Sequence, residues 1–345
     1  MYTVPPKKML IINILEILKK YTDADHRLSQ KEIADILAKN YNMEVDRKAV
    51  KRNLVNLAEF GYNIEATETS RVNKKGEKEV LCSDWYMERE FSDAELRLLV
   101  DGLLFSKHIP YSQCKTLIEK LEGLSNNYFK LKVKHISSLP ENMPENKQLF
   151  YTIDILDEAI SKGRQVEFSY NAFGTDKKLH NKVTDEGKVR KYIINPYQMV
   201  ATNGRYYLIC NYDKYDSVDH YRVDKITDIK LLDTPVKPKT KLPDLADGHD
   251  LPQHMAEHIY MFSGQVDIVT FKAKKYLIDD IIDWFGKNVE FSQETKDEVT
   301  VRVKVNLQAM RYWALQYVQH VKVLSPAGLV KQIKQDIADA SEKYK

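Results

Sequence analysis

The spacing of apolar residues changes from a helical period to a strand period along the chain, and this change constrains the fold most. Between residues 7 and 60, apolar side chains recur every three or four positions, which predicts amphipathic helices. From Gln165 onward, apolar and polar residues alternate, and turn residues follow roughly every 8–12 positions. Helices and strands in separate stretches predict an α+β protein. A length of 345 residues predicts two or three domains.

Three short helices are predicted at the start of the chain. The first covers residues 7–21. The second follows Ser29, which forms a capping box with Glu32, and ends near Asn40. Asp46 is the predicted N-cap of a third helix that runs to Phe60.

The third predicted helix has an apolar face and a basic face. Ala49, Val50, Leu54, Leu57 and Ala58 share an apolar face, whereas the cations lie on another: Arg47, Lys48, Lys51 and Arg52. Arg can reach guanine edges in the major groove and Lys can neutralise phosphates, so this face is typical of a recognition helix. The alternative is a solvated charged face on an ordinary helix.

A hairpin follows, with strands predicted at residues 62–72 and 79–87. Gly76 permits the positive φ of a bulged turn. Basic residues gather at the tip and suggest a wing that contacts the DNA backbone: Arg71, Lys74, Lys75 and Lys78. Residues 1–88 are therefore predicted to be a winged helix-turn-helix domain that binds duplex DNA.

The apolar pattern in the middle of the chain predicts helices, and no set of residues there is typical of a catalytic site. Ser92 caps one helix and Pro110 precedes another, while Pro140 and Pro144 flank a predicted linker. Residues 89–145 are interpreted as a helical connector, and a further helix is predicted at 146–162.

Short strands without intervening helices predict a small barrel or curled sheet after Gln165. Within it, Gly204-Arg205-Tyr206-Tyr207-Leu208 and His220-Tyr221-Arg222-Val223-Asp224-Lys225-Ile226 resemble the WYL domain of bacterial transcription regulators. Residues 166–170 and Ile194-Asn195-Pro196-Tyr197 resemble the same family. Tyr206 replaces the family's Trp, and Lys225 replaces its usual Arg, which weakens bidentate anion binding there.

The resemblance implies a transcription regulator built from a winged helix-turn-helix, a WYL domain (146–234) and a C-terminal extension (235–345). It implies an SH3/Sm-like barrel that senses a nucleic-acid fragment or nucleotide. The implied ligand-binding residues are Ser169, Tyr170, Tyr197, Arg205, Tyr207, Arg222 and Lys225. An alternative stays open, in which the tyrosines fill the barrel and Arg222 pairs with Asp224.

The last hundred residues predict a β-α-β-β-α-β order, which is ferredoxin-like. Four aromatic residues are interpreted as core: Trp284, Phe285, Trp313 and Tyr317. The resemblance implies that this extension makes dimer contacts.

Charge and cysteine content narrow the function classes. The net charge of +3 hides two basic stretches, since residues 1–80 carry 15 basic and 12 acidic residues and 160–239 carry 15 and 10. Three dispersed cysteines suggest a reducing compartment. With no apolar run near 18 residues and no signal-peptide pattern, we expect a soluble cytoplasmic protein.

The remaining patterns indicate no cofactor, metal or enzymatic activity. His254 and His258, near Asp250 and His249, could ligate zinc, but a solvated pair in a linker is the favoured interpretation. The sequence thus predicts a homodimeric DNA-binding regulator that is controlled by a ligand. The alternatives are a single-stranded nucleic-acid-binding accessory protein that modulates an effector enzyme and, least favoured, an enzyme that acts on nucleotides.

Overall fold

Helices and antiparallel sheets make up the structure, a computed structural model that describes residues 7–72, 76, 78–132, 146–245 and 251–345. The chain divides into two units, residues 1–143 and 144–345. In the described ranges, no helix has the length and apolarity that a membrane span requires.

Three helices begin the first unit: α1 (Leu10–Tyr21), α2 (Gln30–Tyr41) and α3 (Arg47–Phe60). The predicted caps are confirmed, because the Ser29 hydroxyl accepts from Glu32 N and the Asp46 carboxylate accepts from Ala49 N at 2.7 Å. Residues 7–9, predicted to be α-helical, form a 3-10 turn instead. The three helices share one core, which includes Ile14, Leu18, Ile33, Leu37, Val50 and Leu54.

A hairpin of β1 (Ile64–Val72) and β2 (Lys78–Met87) completes this core. Trp85 of β2 is buried among the helices. Its backbone exchanges hydrogen bonds with Leu28, with N–O distances of 2.8 and 2.9 Å. The hairpin therefore packs as a part of the helical domain.

The connector contains α4 (Asp93–Phe105), α5 (Tyr111–Glu122) and α6 (Asn127–Lys132). The Ser92 side chain caps α4, as predicted. Buried Asn126 ties α6 to the end of α1 by donating to Thr22 O at 3.0 Å and to the Asp23 carboxylate at 2.7 Å. The predicted linker at residues 140–144 lies outside the described residues.

The second unit opens with α7 (Leu149–Lys162) and a curled sheet. Its strands are β3 (Arg164–Phe173), β4 (Leu179–Asn181), β5 (Lys191–Thr202), β6 (Arg205–Asn211), β7 (Asp219–Arg222) and β8 (Ile226–Pro235). The order is β4-β3-β5-β6-β7, and β8 pairs with β3. The predicted barrel is not closed: a 3-10 turn at Val223–Lys225 leads from β7 into β8, and β8 pairs with β3 rather than with β7 within the described residues.

The rest of the second unit comprises α8 (Leu251–Glu257), β9 (Val266–Lys274), α9 (Ile278–Phe285), β10 (Glu290–Ser292), β11 (Glu298–Asn306), α10 (Leu307–Gln316), β12 (Val321–Ser325) and α11 (Ala327–Lys343). The antiparallel sheet has the order β10-β11-β9-β12. From β9 onward, the strands and helices up to β12 follow the predicted β-α-β-β-α-β order. Phe285 and Trp313 are buried in its core, against which Trp284 and Tyr317 pack.

The histidine pair contradicts its sequence interpretation. His254 lies in α8, and His258 follows it; their side chains are 2% and 5% exposed, so they are not a solvated pair in a linker. The reason is that α8 packs on the curled sheet through Leu251 and Met255.

Candidate functional site

The exposed face of α3 carries the four cations predicted to contact DNA. Arg47, Lys48 and Arg52 are exposed and Lys51 is half-buried, whereas Val50 and Leu54 of the same helix are buried. None of the four cations forms an ion pair within the part of the chain that the structure describes. Their charges are therefore available to an anionic partner.

One of the basic residues predicted at the tip of the hairpin, Arg71, lies in the described part of the chain, close to the end of β1. Arg71 is exposed on β1, with its Cα opposite that of Glu79 on β2. Lys74 and Lys75 lie outside the described residues. The predicted contact between the basic tip of this hairpin and DNA therefore stays a prediction.

In the second unit, the registers of the curled sheet bring a cationic cluster together. Tyr207 pairs with Arg222 across β6 and β7, and Arg222 N donates to the Tyr170 hydroxyl at 3.3 Å. The Arg222 guanidinium binds Asp224 in a bidentate manner, with Nε–Oδ1 at 3.0 Å and NH2–Oδ2 at 2.5 Å. This is the pairing that the sequence left open as the alternative to ligand binding.

Electrostatic effects within the cluster show that its charges are close. Burial lowers the pKa of Lys225, and the positive charges of Arg222, Arg205 and Lys182 lower it further. Burial raises the pKa of Tyr207, and the positive charges of Arg222 and Arg205 oppose this rise. We call Arg205, Arg222, Lys225 and Lys182 the cationic cluster. These four cations outnumber Asp224, the carboxylate that pairs with Arg222, and so favour an anion.

Tyr170 lies against the same cluster but is neutral at physiological pH. Burial raises the pKa of its hydroxyl to about 12, against the opposing effects of the Arg222 backbone and charge. A neutral hydroxyl can donate a hydrogen bond to an anionic oxygen. Tyr170 therefore suits a polar contact with a ligand more than a charge-based one.

Two of the seven ligand candidates have hydroxyl groups that form hydrogen bonds within the domain. The Ser169 hydroxyl is fully buried and accepts from Lys191 Nζ at 2.9 Å. The Tyr197 hydroxyl donates to Lys237 O at 2.8 Å, and its ring packs in an apolar cluster with Val200 and Ile209. For Tyr197, the structure fits the alternative that some tyrosines fill the core.

The sequence reasoning missed a group of rings beside Tyr170. Tyr192, Tyr212 and Tyr221 pack mostly edge to face, and the Tyr212 and Tyr221 hydroxyls lie 2.7 Å apart. Two exposed cations flank the group: Arg190 lies 4.9 Å from the Tyr192 ring, and Lys182 lies 5.5 Å from the Tyr170 ring. The signal in the sequence was the presence of Tyr192 and Tyr221 in predicted strands, with Lys182 and Arg190 in the segment that precedes Tyr192.

Metal ligands are not assembled in the described ranges. No group of three His, Cys, Asp or Glu side chains there has an arrangement that could hold a metal ion.

Comparisons with known proteins identify one domain. Residues 151–231 match the WYL domain family, which confirms the sequence resemblance for this stretch. No protein of curated function matches the sequence.

Two solved structures match nearly the whole chain at low sequence identity. Proteasome accessory factor B/C (PafBC) of Arthrobacter aurescens is 15% identical with a TM-score of 0.29, and the match covers 99% of this chain but 49% of PafBC, so the chain spans about half of PafBC. A CRISPR Cas-related protein is 13% identical with a TM-score of 0.36, covering 100% of this chain and 87% of that one.

Proposed function

We propose that the protein is a DNA-binding transcription regulator whose WYL domain binds an anionic ligand, a nucleotide or a nucleic-acid fragment. The observation that carries the proposal is the set of four cations on α3, which lack ion pairs in the described ranges while the buried residues of the same helix anchor the helical core. Phosphate contacts supply most of the affinity of proteins for DNA, and Arg adds guanine recognition.

The proposal includes a domain arrangement. Residues 1–88 act as a winged helix-turn-helix, 89–145 as a helical connector, 146–234 as the ligand-sensing domain and 235–345 as a ferredoxin-like extension. A homodimer would bind a pseudo-palindromic operator with α3 of each copy in successive major grooves. We assign the protein no catalytic role.

DNA selection followed by binding measurements tests this function. A random duplex library selected on the wild-type protein yields a probe for fluorescence anisotropy over a range of salt concentrations. Changing Arg47, Lys48, Lys51 and Arg52 to Ala should abolish binding to this probe. A matched control removes four other cations of the same unit, by changing Lys19, Lys20, Lys115 and Lys120 to Ala, and should retain binding. Equal affinities of the two variants would refute the proposal.

The second candidate is a single-stranded nucleic-acid-binding accessory protein that modulates an effector enzyme. The tyrosines beside the cationic cluster favour it, because aromatic rings stack on bases while cations track the backbone. Selection of a duplex on the wild-type protein would support the regulator. Failure of duplex selection, with single-strand binding that Arg222→Gln removes, would support the accessory protein.

A further inference from the structure

Helices cover one face of the four-stranded sheet formed by β9–β12. Phe271, Val301 and Val323 of its strands lie in one core with residues of α9, α10 and α11. Successive residues of a strand point to opposite faces, so the residues next to these three lie on the other face. We call that other face the outer sheet face. It carries five cations, which are Lys272 and Lys274 of β9, Arg302 and Lys304 of β11, and Lys322 of β12.

Three of these five cations are already paired with carboxylates, at distances of 2.8–2.9 Å. The ion pairs are Lys274–Glu298, Arg302–Glu290 and Lys304–Glu257. The other two cations, Lys272 and Lys322, are exposed and form no ion pair within the residues that the structure describes. Their positive charges are therefore the ones that an anionic partner would meet on this face.

Lys272 and Lys322 face each other across two antiparallel strands. The register of β9 and β12 places their Cα atoms directly opposite, and like charges in this arrangement destabilise a sheet. The hydrogen bond and charge of Lys274 lower the pKa of Glu298, and Lys272 and Lys322 lower it further. Asp297 lies nearby and raises the pKa of Lys274, after the larger effect of Glu298. Because Glu298 is bound to Lys274, an added anion would relieve the repulsion between the other two lysines.

Protection of the sheet edge accounts for only one of these two lysines. An exposed lysine on an edge strand deters a second sheet from pairing with it, and β12 is an edge of this sheet. Lys272, however, lies on β9, between β11 and β12. The unfavourable pair of lysines therefore has a different reason, and binding of an anion supplies one.

Two exposed rings lie at the same end of the sheet as the lysines. Tyr276 follows β9 and is 64% exposed, and His320 precedes β12 and is exposed too. Their ring centroids are 5.5 Å apart, with an angle of 71° between the ring planes. Lys274 N donates to His320 O at 3.1 Å, which ties the ends of the two strands together. Exposed rings beside cations suit unpaired bases, because the rings stack on bases while the cations contact phosphates.

We propose that the outer sheet face binds single-stranded nucleic acid, with Lys272 and Lys322 on its phosphates and Tyr276 stacked on a base. A duplex fits this surface less well, because its bases are stacked on one another and offer no free face to Tyr276. The outer sheet face belongs to a different sheet from the cationic cluster. The proposal therefore does not depend on the ligand of the WYL domain or on the binding of duplex DNA by α3.

Photo-cross-linking of the full-length protein locates the strand directly. The probe is a single strand of thymidylate in which some bases are replaced by 5-iodouracil. It is used below saturation, so that the yield at each site follows the affinity of that site. Mass spectrometry of the irradiated wild type should find adducts on Tyr276 or His320. These adducts should persist in Arg222→Gln, which alters only the cationic cluster, and should not form when the strand is annealed to its complement.

Removal of the two lysines should reduce these adducts. Each phosphate contact of a single strand contributes about 0.7 to the slope of log K against log salt concentration, so the loss of two contacts weakens binding roughly 20-fold at about 0.1 M salt. Lys272→Gln combined with Lys322→Gln should lower the adduct yield by this factor. The matched control is Lys331→Gln combined with Lys334→Gln, which removes two exposed lysines of α11, a helix that packs on the covered face. This control should keep the wild-type yield.

Several results would overturn the proposal. One is a wild type that forms no adduct at Tyr276 or His320, and another is an unchanged yield after Lys272 and Lys322 are replaced. An equal loss in the control variant would show a general effect of charge, and equal adducts from the duplex would show that unpaired bases are not recognised. Adducts confined to β3–β8 would also overturn the proposal, yet they would leave the ligand site of the WYL domain intact.

Discussion

Replacing Asp224 by Asn should both destabilise the protein and strengthen its binding of anions. Asp224 and Arg222 have side chains that are 10% and 19% exposed, and they form a bidentate pair. Breaking a buried ion pair costs about 3–5 kcal/mol, and the partial exposure here reduces this to about 2 kcal/mol. For a unit of this size, that loss lowers Tm by about 4–8 °C.

The gain in affinity follows from the lost negative charge. An anion held by Arg222 and Arg205 about 7 Å from the Asp224 carboxylate is repelled by about 2 kcal/mol at an effective dielectric constant near 20. Asp224→Asn removes this repulsion and frees the guanidinium, so Kd should fall by roughly 10- to 30-fold. Arg222→Gln should weaken the same binding.

Fluorescence anisotropy with a labelled single-stranded 12-mer of thymidylate, at constant salt, measures these affinities. Asp233→Asn is the matched control, because it neutralises an exposed carboxylate on β8, the strand that follows the cluster in the chain. It should change neither Tm nor Kd appreciably. If Asp224→Asn and Arg222→Gln both retain the wild-type Kd, or if the wild type binds no strand, the cationic cluster is not a nucleic-acid site.

Three further predictions address the packing around the two candidate sites. Ser29→Ala removes the cap of α2 and should lower the unfolding free energy of the first unit by about 1 kcal/mol, measured by urea denaturation. Asn126→Ala should cost about 2–3 kcal/mol, because it leaves Thr22 O and the Asp23 carboxylate without their partner amide. Burial raises the pKa of Asp23, but hydrogen bonds from Asn126 and His26 outweigh it and hold the pKa below its usual range. The stability that Asp23 contributes is thus present above about pH 4 and lost as pH falls through the folded pKa. The unfolding free energy of Asn126→Ala should therefore fall less steeply with acid than that of the wild type. An equal slope would contradict the assignment. Tyr197→Phe should lower the unfolding free energy by about 1 kcal/mol, because Lys237 O loses its hydrogen-bond donor. The affinity for single strands should not change. A tenfold loss of affinity would place Tyr197 at the ligand.

Local signals in the sequence predicted the helical core well. Ser29 with Glu32 and Asp46 begin helices where expected, because a cap acts on backbone amides within three residues of it. The apolar and basic faces of α3 also follow from its period alone. Such features depend on neighbours in the chain, which a sequence displays directly.

Features that depend on distant partners were missed or misjudged. The burial of His254 depends on His220 and on an apolar cluster from the curled sheet, neither of which is near it in sequence. The barrel stays open because the turn after Arg222 directs β8 to β3, a choice of partner that strand alternation does not encode. In the cationic cluster, the pairing of Arg222 with Asp224 was visible only as one of two alternatives.

The central claim is that the basic face of α3 binds duplex DNA, and the salt dependence of binding tests it most directly. Each phosphate contact contributes about 0.9 to the slope of log K against log salt concentration. Replacing Lys48 and Lys51 by Gln should therefore reduce the slope for the selected duplex by about 2, whereas Lys115 and Lys120 replaced by Gln should leave it unchanged. An unchanged slope and affinity in the Lys48 and Lys51 variant would contradict the account.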